Sequence, residues 1–152
     1  MKVRLLPRLP IYTQNKESRM IIKQKFINRV DLQNNPTLVY LFGDNLARVG
    51  LGGQAAAMRG EPNAVGVATK KTPSSNPSAF FYDDEYMANV KAIYDDITPA
   101  IGHILKGGVL VIPSDGLGTG LSAMEKHCPK TLKALNGLLE YLEDLDKRIN
   151  LV

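Results

Sequence analysis

The sequence predicts an α/β fold, a three-layer α/β/α sandwich, on three observations. Short apolar runs alternate with helical stretches along the chain. The helical stretches carry apolar residues at three- and four-residue steps. Two glycine-rich loops each follow an apolar run and precede a helical stretch, the order in which an α/β sheet presents its ligand-facing end. At 152 residues, 44% of them hydrophobic and 22% charged, the chain suits one domain, 1–152, large enough to bury a core without metal or disulfide support. Residues 1–30 form a poorly defined N-terminal region of it.

The elements follow in order. Met20 to Ile27 carries β-branched and aromatic residues and reads as an edge strand, weakly patterned because of Lys23, Gln24 and Lys25. Asn28 to Asn34 reads as a short helical turn closed by Asn35-Pro36, since the residue before proline disfavours the α region. Thr37 to Phe42 is a buried strand. Gly53 to Arg59, alanine-rich, is a short helix ended by Gly60 and Pro62. Ala64 to Thr69 is a second buried strand that delivers Thr69, Lys70 and Lys71 into a Pro/Ser loop over 72–78. Tyr86, Met87, Val90, Ile93, Tyr94, Ile97 and Ile101 mark an amphipathic helix from Asp83 to about Leu105, kinked or restarted by Pro99. Val109 to Ile112, apolar at every position, is a central strand. Pro129 to about Lys147 is a helix with a leucine packing stripe.

Both glycine loops and Lys70 then fall beyond the carboxyl ends of strands. The first loop runs Gly43-Asp44-Asn45 through Gly50, Gly52, Gly53 and Gln54; the second runs Ser114-Asp115-Gly116-Leu117-Gly118-Thr119-Gly120-Leu121. Glycine loops there expose backbone N–H groups and a helix N-terminus, the means of holding phosphate or pyrophosphate. Neither is a Walker A loop, and neither has the dinucleotide GxGxxG spacing with a distal acid. Asp44 is either a ligand or catalytic group or a turn cap, and Lys70 and Lys71 are either site residues or a solvated strand end, with strand alternation letting only one face a pocket. His103, His127 and Cys128 read as packing or capping residues, and Phe80, Phe81 and Tyr82 as stacking or core aromatics.

The formal charge of +4 favours anionic partners without choosing among them, and most of the charge is solvated surface. Basic residues crowd the stretch before position 30. Cys128, the one cysteine, excludes an intrachain disulfide framework and fits a reducing compartment, the cytoplasm. No run reaches the roughly 18 apolar residues of a membrane span. Two histidines and no clustered carboxylates at ligand spacing give no expectation of a metal.

The two loops together resemble the macrodomain family. Phe42-Gly43-Asp44-Asn45 stands where macrodomains carry an asparagine near the distal ribose, and Gly116-Leu117-Gly118-Thr119-Gly120 is similar to the segment that wraps the diphosphate. Val67-Ala68-Thr69-Lys70-Lys71 resembles the strand end of the branch that removes ADP-ribose from protein carboxylates or DNA bases. The resemblance covers about residues 37 to 145 and implies a mixed sheet, no cofactor other than ADP-ribose or a related nucleotide as ligand, and a monomer. It implies Lys70 as the group acting on the ribose, with Asp115 or Asp44 as the proton carrier, because Ser122 stands where that branch has an aspartate. The function it implies is binding and hydrolysis of ADP-ribose from a modified protein or nucleic acid. The alternatives are a non-catalytic reader or sequestering protein for ADP-ribose or cyclic ADP-ribose, and a nucleic-acid-binding protein using the basic N-terminal region.

Overall fold

The computed structural model describes residues 20–150, so Lys2, Arg4, Arg8, Lys16 and Arg19 of the basic N-terminal stretch lie outside the described residues. The described chain is α/β, with element order β1 (Ile21–Gln24), α1 (Arg29–Asn34), β2 (Val39–Asn45), α2 (Ala55–Met58), β3 (Ala64–Lys70), α3 (Tyr86–Leu105), β4 (Leu110–Pro113), α4 (Met124–His127) and α5 (Pro129–Asn150). The strands form one sheet in the order β1-β4-β2-β3. Each strand pair is parallel. The mixed sheet that the macrodomain resemblance implies therefore has no antiparallel strand among the described residues. The antiparallel contact there is an isolated bridge between Lys70 and Phe80.

Strand alternation divides the apolar side chains between two faces. Leu41, Leu110 and Ile112 join Ile93, Ile97 and Ile104 of α3 and Leu135, Leu139 and Leu142 of α5 in one buried cluster. Tyr40, Phe42 and Val111 join Leu32 of α1 and Ala55 and Met58 of α2 in another. The continuous hydrophobicity of β4, all four residues buried, follows from its interior place and two covered faces.

Three local outcomes differ from the sequence reading. Pro99 does not restart α3, which runs unbroken through it; Pro99 and Asp95 are on the exposed side, where water can satisfy the carbonyl that proline cannot reach. β2 continues through Gly43, Asp44 and Asn45, so the first loop starts three residues later than its glycine suggests. The helices directly after the two loops, α2 and α4, are four residues each, too short to lend an N-terminal dipole to a ligand.

The long helix α5 has its N-terminus occupied. Asp83 accepts from Lys130 N at 2.9 Å, Thr131 N at 2.9 Å and Thr131 Oγ1 at 2.8 Å, a carboxylate cap supplied from another part of the chain. Burial pushes the Asp83 carboxyl upward, and these bonds with the Lys130 charge outweigh it and hold the group below its ordinary value.

Candidate functional site

β2 and β4 pair only at Val39 with Leu110 and Tyr40 with Val111, although both continue toward their carboxyl ends. Their onward chains leave for opposite faces, α2 to one and α4 with α5 to the other, and adjacent strands that part in this way open a crevice. A pocket of about 360 Å³ lies there, within the range of small-molecule sites.

Most of the residues expected from sequence meet in it. Gly43, Asp44, Asn45, Gly50, Gly52, Gly53 and Gln54 line it from the first loop, Thr69 and Lys70 from β3, and Asp115, Gly118, Thr119, Gly120 and Leu121 from the second loop. Ser114, Gly116 and Leu117 are not in the lining. Ser114 N instead donates to Gln24 O of the edge strand at 3.0 Å, and Leu117 is a fully buried anchor of the core below. Gly116, at φ +81°, turns the loop.

Asn45 carries the clearest signal. It is 6% exposed, its Nδ2 donates to Val49 O at 2.8 Å, and its Oδ1 is buried with no hydrogen-bond partner among the described residues. A buried polar atom without a partner carries a cost that folded proteins seldom leave in place.

Lys70 faces the pocket and Lys71 does not; Lys71 Nζ reaches Glu85 Oε1 at 2.5 Å. A bulge sets this arrangement. Asp44 pairs with Ala68 and Asn45 with Lys70, so Thr69 is skipped and both Thr69 and Lys70 turn to the pocket. Lys70 Nζ donates to Ser74 O at 2.9 Å and lies 4.6 Å from the centre of the Phe80 ring, with no carboxylate partner among the described residues. Burial, at 8% exposure, pushes its ammonium below the ordinary lysine value.

The two carboxylate candidates differ in availability. Asp44, its side chain 4% exposed, is gripped by Arg59 through Nη2, with Nη1 at 3.3 Å from Oδ2, and Arg48 Nη1 stands 3.6 Å away. Arg48 also pairs with Asp96 at 2.7 Å. The Asp115 carboxylate has no hydrogen bond or ion pair among the described residues, and its exposed loop borders the pocket.

Sequence reading missed Arg59, which closes α2 and reads there as a plain helix end. Besides Asp44, it donates through Nε to Gly50 O at 2.7 Å and through Nη2 to Val49 O at 3.3 Å, so one guanidinium ties the buried carboxylate to the rim of the first loop. Val49, Leu51, Ala55, Pro73 and Ser122 complete the lining. The remaining candidates pack elsewhere. Phe81 and Cys128 are buried, with the thiol pushed up to about 11 by burial; His103 Nε2 contacts Val109 O at 2.9 Å; and His127 stacks against Phe80 and Tyr82. Among the described residues, no helix is long and apolar enough to cross a membrane.

A family model described as a family of unknown function, DUF7831, matches residues 22–138, a span that holds both loops and Lys70. No curated protein and no solved structure matches the chain.

Proposed function

We propose that this chain, which belongs to the DUF7831 family, binds ADP-ribose or a closely related nucleotide in the pocket between its two glycine loops. The observation that carries the reading is the unpartnered Asn45 Oδ1. With Nδ2 committed to Val49 O, the group left over is an acceptor, and an acceptor calls for a ligand donor such as a sugar hydroxyl. The glycine-lined rims supply backbone N–H groups for a diphosphate. Helices against both faces of the parallel sheet support the three-layer, macrodomain-like arrangement.

The reaction proposed is release of ADP-ribose from a modified protein or nucleic acid. Lys70, desolvated and free of a carboxylate partner, acts as the amine nucleophile. Its nitrogen bonds to ribose C1″, the bond from C1″ to the carrier breaks, the carrier leaves with a proton, and water then frees the lysine. Asp115, with an unengaged carboxylate, serves better as the proton carrier than Asp44, which the arginines hold. The protein acts as a cytoplasmic monomer with no metal.

A second reading has its own support. Ser122 in place of an aspartate, together with the engagement of Asp44, suits a reader that binds ADP-ribose without turnover. The deciding experiment titrates ADP-ribose calorimetrically into wild type and Lys70→Ala and incubates both with ADP-ribosylated protein and DNA. Binding with release lost in Lys70→Ala supports the hydrolase; binding without release supports the reader; no binding sinks both.

A further inference from the structure

We propose that Gln54 is a positioning residue whose side-chain amide stands in for the missing rung between β2 and β4 and so fixes the gap between the two glycine loops. Its Oε1 accepts from Gly43 N at 2.7 Å, and its Nε2 donates to Gly116 O at 3.1 Å. Gly43 lies in β2 and Gly116 in the turn after β4, past the point where the two strands cease to pair. A parallel sheet that splays leaves a donor on one strand and an acceptor on its neighbour without partners. A primary amide carries one acceptor and donors in the same plane, as a peptide unit does. Gln54 therefore wedges the strands apart while keeping both backbone groups satisfied.

The position of Gln54 makes this bridge informative about ligand choice. It is the residue immediately before α2, and it lines the pocket, so the bridge spans the crevice from the first loop to the second. The second loop is otherwise secured below, by Leu117 in the core and by Gly116 N donating to Pro113 O at 2.9 Å. Among the described residues, the Gln54 amide is the hydrogen-bonded link between Gly43 on one rim and Gly116 on the other. A ligand that bonds both rims at once, as the diphosphate of the proposed nucleotide does, gains from a preset gap because it need not order the loops on binding. Gln54 acts through the loops rather than as a group that must touch the reacting atoms. The ligand part of this inference rests on the reading under the preceding heading; the bridge itself does not.

The test compares wild type, Gln54→Glu and Gln54→Met in the full chain by hydrogen exchange with mass spectrometry, followed by ADP-ribose titration. Gln54→Glu is nearly isosteric and keeps the acceptor for Gly43 N, but turns a second oxygen toward the Gly116 carbonyl. It is expected to speed exchange over residues 115–121 by about fivefold or more while residues 41–45 exchange as in wild type. Gln54→Met, of similar length and without the amide, is expected to speed exchange in both segments. Unchanged protection in α3 and α5 identifies either effect as local rather than as general unfolding. ADP-ribose affinity is expected to fall by about tenfold in both variants. Wild-type exchange over 115–121 in Gln54→Glu overturns the bridge, because a residue that merely fills space is replaced well by glutamate. Faster exchange there with no ADP-ribose binding in wild type supports the bridge and removes the ligand reading alone.

Discussion

Asn45 donates its Nδ2 to the carbonyl of Val49 at 2.8 Å, and that bond determines which end of the amide is left over. Arg59 donates to the same carbonyl, so the carbonyl is held by two donors and the asparagine cannot reverse its amide without facing oxygen to oxygen. The pocket wall is thereby committed to an acceptor.

Replacing Asn45 by alanine removes that acceptor and one hydrogen bond to the rim. ADP-ribose affinity measured by calorimetry is expected to fall about tenfold or more, with a stability loss of about 1 kcal/mol. Asn45→Asp is expected to bind no better, since a buried carboxylate then faces the Val49 carbonyl.

Arg59→Met leaves Asp44 buried with the bond from Asn45 N and, as its one charged partner among the described residues, the more distant Arg48. Breaking a buried pair from one side is strongly destabilising, and urea denaturation should show a loss of about 3 kcal/mol. Arg59→Lys is expected to recover only part of it, because an ammonium cannot serve the carboxylate and two carbonyls in one plane.

Gly66→Ala is expected to act on the same network without touching its charges. A Cβ at Gly66 would stand 2.5 Å from Asp44 Oδ2 and 3.0 Å from its Cβ, so the carboxylate must leave the arginines or β3 must shift. The expected cost is about 2 kcal/mol, read from thermal or urea unfolding.

Lys70 acts as a nucleophile only after losing its proton. Burial lowers its folded value, so the release rate on an ADP-ribosylated substrate should climb with pH and level off below the ordinary lysine value of about 10.4. The stability sign is the same: the folded state gives up this proton before the unfolded chain does, so stability rises with pH across that window. Lys70→Arg, charged throughout, should bind ADP-ribose and release none; release by that variant would remove Lys70 from the role.

Asp83 governs acid stability at the start of α5. Its folded value is depressed, so its contribution is present above the unfolded carboxyl range, near pH 4, and disappears as pH falls through the folded value. Asp83→Ala should cost about 1 kcal/mol at neutral pH and flatten that acid limb of the unfolding midpoint.

The sequence by itself determined the alternation of elements, the edge place of β1, the interior place of β4 and the amphipathic α3 and α5, because periodicity and apolar runs report which faces must be buried. It also determined that two glycine loops and a lysine share the carboxyl end of the sheet, since a parallel strand order leaves them no other side. Only the tertiary structure decided how those residues act. Thr69 and Lys70 both reach the pocket because of a bulge that simple alternation does not contain, and Asp44 is engaged because Arg59, fifteen residues on, folds back over it. Gln54 joins β2 to the turn after β4, a link that its neighbours in sequence do not reveal. Such features arise from contacts between segments distant along the chain, and local propensity carries no record of which partner a side chain will find.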